Sequence, residues 1–271
     1  MKRNLRTRVL GRQRTASASL GVAVAVAAFF SAGAPGLAGR NALAGSRSRK
    51  ADKIIRKHVK AMGGMENILA VDNMKVTGYM EIEGIEIDFT VWMQRPNRSR
   101  MEMSLPGLDI IQGFDGETAW WVNPLAGTGE PEEMPAALAR ELLRWTEFDG
   151  PLVNYKKKQH RVEYAGRQAL GGGRTAHKIE LTRKNREVWR VFIDTESYLE
   201  VMRTYETTIR GKAVEVTTRF SDFTQVEGLT APRLIEGLAV NGSPYRMVFE
   251  TFTAGEKVDK EFFSMTGALD R

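Results

Sequence analysis

The sequence contains no cysteine and only three histidines. The absence of cysteine excludes disulfide bonds and thiolate metal sites, although it does not identify the cellular compartment. The histidines (His58, His160 and His177) are scattered, and the chain has no H-E-x-x-H motif, no nucleophile elbow and no glycine-rich phosphate loop. We therefore expect that the protein is not an enzyme and that it binds neither a metal ion nor a cofactor.

The sequence also has no hydrophobic run long enough to cross a bilayer. The apolar run at residues 20–30 has 11 residues, whereas a membrane helix needs about 20. A basic stretch precedes this run and small residues follow it, as in a signal peptide. We expect residues 1–44 to be a signal peptide, with cleavage after Ala44 or alternatively after Ala38, and residues 45–271 to form one soluble periplasmic domain. Without cysteine there is no lipobox to acylate.

The excess of positive charge belongs to this leader. Residues 1–44 hold seven of the 40 Lys and Arg residues and no Asp or Glu, which leaves 33 basic against 33 acidic residues in the mature chain. A neutral domain gives no charge-based reason to expect nucleic acid as a partner.

The mature chain is organised as one long series of strands with two helices. Apolar residues share one helical face at 52–62, where Gly63-Gly64 supplies a stop, and helical spacing returns at 130–145. Turn signals divide residues 75–123 into four or five strands. Seven further strands are predicted, at 160–164, 176–183, 188–194, 199–209, 213–223, 230–240 and 245–253. The total is 11 or 12 strands, and the short turns imply antiparallel neighbours.

Strict alternation gives the predicted sheet one apolar face. Ile85, Ile87, Phe89, Val91 and Met93 alternate with polar or bulky residues, and Met101 and Met103 repeat the pattern. A meander that curls into an incomplete barrel must fill this face with side chains, cover it with helices or leave it to a ligand. On the pattern alone, a filled core is the more common outcome.

Arg95 shares the parity of this apolar face at the end of its strand. A charge there needs hydrogen-bond acceptors. Either Pro96 ends the strand and Arg95 turns to solvent, or Arg95 binds the exposed carbonyls at the end of a covering helix.

The residues already described resemble the LolA-type carriers, which are periplasmic lipoprotein and lipid carriers, and more closely the broader group of outer-membrane lipoprotein-sorting proteins. The resemblance rests on residues 91–97 (VWMQRPN), on residues 115–124 (DGETAWWVNP) and on the helix-forming segment that follows. It extends at motif level over about residues 75–145, and in the order of elements over most of the mature chain.

The resemblance implies the fold class: a mainly β (α+β) protein whose curved antiparallel sheet of about 11 strands forms an unclosed half-barrel, with helices as a lid over the concave face. It also implies a carrier that takes acyl chains of lipoproteins or another lipid from an inner-membrane donor and delivers them to an outer-membrane acceptor, and we expect it to act as a monomer. Arg95 inherits the role of a latch that holds the lid shut. The predicted ligand-binding residues are Ile87, Phe89, Val91, Met93, Met101, Met103, Leu138, Leu142 and Trp145.

Two alternatives remain open. The cargo is not fixed, because residues 149–173 and the strands after Leu199 are more elaborate than in the LolA-type carriers. A non-catalytic sensor of lipid or envelope stress, with the same fold, would have the same sequence features.

Overall fold

A computed structural model of the chain describes residues 37–127, 129–209, 211–239, 242–256 and 258–268. The basic stretch and the apolar run of the predicted signal peptide lie outside the described residues. The fold does not test cleavage after Ala38 or Ala44, so the leader and its cleavage site stay predictions. Within the described residues, no helix is both long enough and apolar enough to cross a membrane.

The described residues form one antiparallel sheet of thirteen strands. Its spatial order is β6-β5-β4-β3-β2-β1-β13-β12-β11-β10-β9-β8-β7. The strands are β1 (Asn73–Ile82), β2 (Ile85–Gln94), β3 (Arg98–Leu105), β4 (Leu108–Phe114), β5 (Ala119–Val122), β6 (Glu132–Glu133), β7 (Arg161–Gly171), β8 (Arg174–Thr182), β9 (Val188–Asp194), β10 (Glu200–Ile209), β11 (Lys212–Val226), β12 (Leu229–Leu238) and β13 (Pro244–Ala254). The helices are α1 (Leu37–Ala61), α2 (Met65–Ala70) and α3 (Ala136–Leu143), and a short 3-10 helix covers Lys260–Phe263.

The sheet is strongly curved, and α3 gives a measure of the curvature. Strands β5 and β10 are eight strand-to-strand steps apart, which is roughly 38 Å along the sheet. Helix α3 has 8 residues and is therefore about 12 Å long. It nevertheless lies against β5 and hydrogen-bonds to the β10 side chains of Tyr205 and Thr207 through Glu141. The two arms of the sheet must therefore curl toward each other, and the face that bears α3 is concave.

The predicted fold class, an unclosed antiparallel half-barrel with helices on its concave face, is confirmed. The sheet stays open because β6 and β7 end its two arms without pairing to each other. The extra strand relative to the predicted 11 or 12 is β6, a two-residue strand that pairs with β5. It lies within the segment predicted as a helix, so that helix is shorter than the predicted 130–145.

The N-terminal helices also differ from the prediction. Helix α1 begins at Leu37 rather than at residue 52, because the Ala- and Arg-rich residues before 52 favour a helix although they carry no apolar face. It ends at Ala61, one residue before the predicted end, and the following Gly63 has a φ of 118°, which suits glycine. Helix α2 was not predicted, since six residues are too few to display a helical period.

The main core lies between α1 and the arm of the sheet that is formed by β7 to β11. Ala51, Ile54 and Ile55 of α1 pack on apolar side chains of β7 to β11. At the centre of the sheet Gly78 opposes both Phe89 and Phe249 in the strand register. A Cβ atom at Gly78 would overlap the carbonyl oxygen of Val248, so the bulge at this point requires glycine.

The convex face of β2 to β5 is buried under the C-terminal segment. Trp120 is fully buried there and its Nε1 donates to the carbonyl oxygen of Phe263 (2.7 Å). The Arg100 guanidinium is also fully buried and donates to the carbonyl oxygens of Phe262, Gly267 and Ala268 at 2.8–3.0 Å. The one-sided alternation did not predict this cover, which makes part of the second face a core as well.

Candidate functional site: an apolar groove and its lid

The strand register places the predicted ligand-binding residues of β2 and β3 side by side. Val91 pairs with Met101 and Phe89 pairs with Met103, while Val91 also lies opposite Val76 of β1. Paired residues project to the same face, so this set forms a continuous surface. It faces the concave side, where the covering elements lie.

One part of that surface is filled core. Phe89 is buried, and its ring meets that of Phe249 edge-on at 5.5 Å. Ile87 is also buried, and Met93 packs against the cluster that contains Val76 and Phe148. These three predicted residues are occupied by the protein's own packing.

The other part is open. Met101 and Met103 are only partly buried, and Ile85 at the hairpin end of the same face is 53 % exposed. We call the partly exposed apolar surface at this end the apolar groove. It comprises Met80, Ile82, Ile85, Met101, Met103, Leu105, Leu108, Ile110 and Met247. Of these nine residues, the predicted ligand-binding set contains only Met101 and Met103. Alternation within one strand does not show which residues of β4 and β13 lie beside β3 and β1, so Leu108, Ile110 and Met247 were missed.

Helix α3 supplies the other predicted residues. Leu138 and Leu142 are partly buried. Trp145, just beyond the helix, packs on Phe220 of β11 with ring centroids 6.5 Å apart and stays 38 % exposed. The backbone N–H of Met134 donates to the carbonyl oxygen of Ala119 (2.9 Å) and fixes the start of this segment at β5. The segment therefore crosses the concave face from one arm of the sheet to the other.

Polar contacts fasten the far end of α3. Glu141 accepts hydrogen bonds from the Tyr205 hydroxyl (3.2 Å) and the Thr207 hydroxyl (2.8 Å). Arg144 is buried and pairs with Glu141 and with Glu187 of the β8–β9 turn (2.9 Å). Burial alone would lower the pKa of Arg144, but the two carboxylates raise it. The far end of α3 is thus held by ion pairs around a buried guanidinium group.

The loop after α3 carries a second charged contact. Glu147 pairs with Arg183 and with Lys158 (3.3 Å), and His160 Nε2 lies 3.6 Å from its carboxylate. Burial acts to raise the pKa of Glu147, but His160 and the charges of Lys158 and Arg183 outweigh it and lower the pKa to about 2. Glu147 is therefore ionised at every pH at which the protein would operate.

Arg95 joins this loop to α2. Its Nε donates to the carbonyl oxygen of Val71 (2.8 Å), and Nη2 donates to that of Ile68 at the end of α2. Nη1 pairs with Asp149 at 2.5 Å, and the guanidinium lies over the Phe148 ring. Of the two alternatives for Arg95, the structure has the one in which it binds carbonyls at the end of a covering helix. Its role as a latch stays a prediction.

Asp149 is a functional candidate that sequence reasoning missed. It lies 54 residues after Arg95 in a segment without strand or helix periodicity. The sequence indicated only that Arg95, a cation directed at an apolar face, needs an acidic partner. It did not indicate which residue that partner is.

The histidines do not form a ligand set. His58 is buried in α1, with Nδ1 2.9 Å from the carbonyl oxygen of Tyr198, and burial lowers its pKa. His160 accepts from the backbone N–H of Lys184 at 3.1 Å. Among the described residues, no group of three or more His, Asp or Glu side chains is arranged to hold a metal ion.

No family model and no curated protein matches the sequence. Solved structures nevertheless match the fold. A LolA superfamily protein from Nitrosomonas europaea superposes with a TM-score of 0.54 at 11% identity, covering 78% of this chain and 96% of that one. A DUF1329 family protein from Desulfovibrio piger gives a TM-score of 0.56 at 9% identity, with 80% and 98% covered. An outer membrane lipoprotein-sorting protein domain from Vibrio parahaemolyticus gives 0.52 at 10% identity, with 75% and 95% covered.

These similarities define the class of fold as an open half-barrel with helices across its concave side. More particularly, the chain has a LolA-like fold, as residues 91–97 and 115–124 led us to expect. The low identities restrict this conclusion to the fold.

Proposed function

We propose that this protein is a periplasmic carrier that binds the acyl chains of lipoproteins or of another lipid in the apolar groove and delivers them toward the outer membrane. The observation that carries the proposal is the groove itself, in which Ile85, Met101 and Met103 remain accessible beside the buried Ile87 and Phe89 of the same face. The predicted leader at residues 1–44 favours export, and the LolA-like fold favours a carrier. An inner-membrane donor and an outer-membrane acceptor are the partners that such a carrier requires.

The chemistry of the groove suits acyl chains. Its nine defining side chains are all apolar, so binding would depend on the area removed from water. Each buried methylene yields about 0.8 kcal/mol, and ten of them would give about 8 kcal/mol before the cost of ordering the ligand is subtracted. The methionines should allow the groove to accept different acyl chains, because their unbranched side chains adapt to varied apolar shapes.

The first experiment is mass spectrometry of organic extracts from the purified protein, combined with uptake of a fluorescent acyl probe. We expect a co-purified lipid or saturable probe binding. Repeated absence of lipid together with failure to bind the probe would refute the proposal.

A matched pair of variants assigns the binding to the groove. Met103→Lys places a charge on the concave face and should abolish probe binding. Ser104→Lys makes the same change one residue further on, at an exposed position of the opposite face beside Asp109, and should leave binding unchanged. Transfer of the probe to acceptor vesicles separates a carrier from a lipid sensor, because a sensor binds the probe without delivering it.

A further inference from the structure

Helix α1 is strongly basic where it packs on the second arm of the sheet. Residues 47–60 hold seven Lys and Arg and a single acidic residue, Asp52. Asp52 is already engaged, since it accepts a hydrogen bond from Tyr155 and pairs with Lys156. A surface with charge of one sign concentrates counter-ions of the other sign, so this helix attracts anions.

Two of these lysines end a stack of rings. Lys50 Nζ lies 3.9 Å from the centroid of the Tyr164 ring, and Lys57 Nζ lies 4.4 Å from that of Tyr198 and donates to its hydroxyl at 2.8 Å. The His177 ring lies between the two tyrosines. It is nearly parallel to Tyr198 at 5.9 Å and edge-on to Tyr164 at 6.0 Å. We call this arrangement the cation–aromatic ladder.

The cations of the ladder have no ion-pair partner among the described residues. Lys50 and Lys57 form no ion pair with any described residue, and neither does Arg167, which pairs with His177 in the register of β7 and β8. His177 is 6 % exposed, and its Nδ1 makes no hydrogen bond within the described part of the chain. A buried polar atom without a partner is costly, so a ligand that satisfied Nδ1 would recover this energy.

Asp194, the carboxylate whose charge acts on His177, is not free to neutralise these cations. Asp194 accepts hydrogen bonds from the backbone N–H groups of Glu196 (3.0 Å) and Ser197 (2.9 Å) and pairs with Arg174 at 3.3 Å. Its charge is therefore already balanced, and the cations on α1 and β7 remain available.

We propose that the ladder is a binding site for a phosphate group, with Lys50, Lys57 and Arg167 as its cationic contacts and His177 Nδ1 as a hydrogen-bond partner. Three cations and an imidazole match the several oxygens of a tetrahedral dianion better than the two oxygens of a carboxylate. The site belongs to α1, β7 and β8, whereas the apolar groove belongs to β1–β4 and β13. The proposal therefore does not rest on lipid carriage.

Two sources share this chemistry, a soluble phosphate ester and the headgroup of a phospholipid. In both cases the anion would favour the protonated form of His177. Burial and the cations Arg167, Lys50 and Lys57 lower the pKa of His177 in the free protein, with Asp194 opposing them. Phosphate should move that pKa upward.

The test is an NMR titration of the histidine side chains with inorganic phosphate at constant ionic strength. The chain has three histidines, so the His177 signals can be assigned. We expect a saturable shift of these signals and a higher apparent pKa of His177. Lys50→Met and Lys57→Met should each weaken binding about tenfold, the effect of losing one charge-assisted contact. Lys53→Met is the matched control, because Lys53 is exposed on the same helix and contacts no ring of the ladder.

A response of His177 that does not saturate, or an equal loss of binding in Lys53→Met, would overturn the proposal. Co-sedimentation with vesicles distinguishes the sources. Binding to phosphatidate-containing vesicles but not to pure phosphatidylcholine, lost in Lys50→Met and kept in Lys53→Met, identifies a lipid headgroup. A phosphate response without vesicle binding identifies a soluble ester. Uptake of the acyl probe should be unchanged in all three variants, which separates this site from the groove.

Discussion

Replacing Arg95 by leucine tests the lid directly. The substitution removes the donors to Ile68 and Val71 and leaves the Asp149 carboxylate, only 11% exposed, without its cation. Hydrogen bonds from a charged group contribute about 1.5–3 kcal/mol each, and breaking a buried pair costs about 3–5 kcal/mol. These contributions overlap because they share one guanidinium, so we take about 3 kcal/mol for the whole latch.

The contacts of Arg95 favour the closed lid in its equilibrium with an open lid. An energy of about 3 kcal/mol corresponds to a change of roughly 150-fold in that balance. If cargo enters only the open form, the apparent affinity is reduced by the fraction of protein that is open. Arg95→Leu should therefore raise the affinity for an acyl probe, by up to about 150-fold, and slow its transfer to acceptor vesicles, because closure no longer helps to expel cargo.

Equilibrium probe titration and stopped-flow transfer measure these two effects, and circular dichroism verifies that the fold is kept. Arg98→Leu is the matched control. Arg98 follows the same turn, and its replacement also removes one positive charge. Within the described part of the chain, however, its side chain makes a single hydrogen bond, to Gln94 at 3.5 Å. Unchanged affinity and transfer in a folded Arg95→Leu protein would refute the latch.

Two further predictions concern stability. Arg100→Met removes the buried guanidinium that holds the C-terminal segment and should lower the free energy of unfolding in urea by about 3–5 kcal/mol, with probe affinity unchanged; an unaltered unfolding midpoint would contradict this. The pKa of Glu147 is lowered from 4.5 to about 2, so its ionised form stabilises the fold by at most about 3 kcal/mol above pH 5, and this stabilisation is lost as the pH falls toward 2. In Glu147→Gln, the free energy of unfolding should depend less on pH between 5 and 2. Glu163→Gln, at an exposed position of β7, should keep the pH dependence of the unchanged protein.

The strands were predictable because alternation reports directly which residues share a face. Strand β9 has the predicted bounds, 188–194, and β2 alternates over its full length. The pairing of Arg95 with Asp149 was not predictable, because no local pattern encodes a contact between an irregular loop and a strand end. The same holds for Arg100, whose backbone acceptors lie more than 160 residues away in the C-terminal segment. Alternation therefore predicted the apolar face of β2 and β3. The elements that cover the concave face follow only from tertiary contacts.

The covering elements of the concave face are attached in two different ways. Helix α1 is held by the apolar contacts of Ala51, Ile54 and Ile55 with the main core, and releasing it would expose that surface to water. The α3 segment and the loop after it are fastened in addition by ion pairs and hydrogen bonds, through Glu141, Arg144 and Asp149. Such contacts exchange for contacts with water at a small net cost when both partners become solvated. The concave face therefore combines a helix whose release exposes apolar surface with a cover that is fastened in part by exchangeable polar contacts.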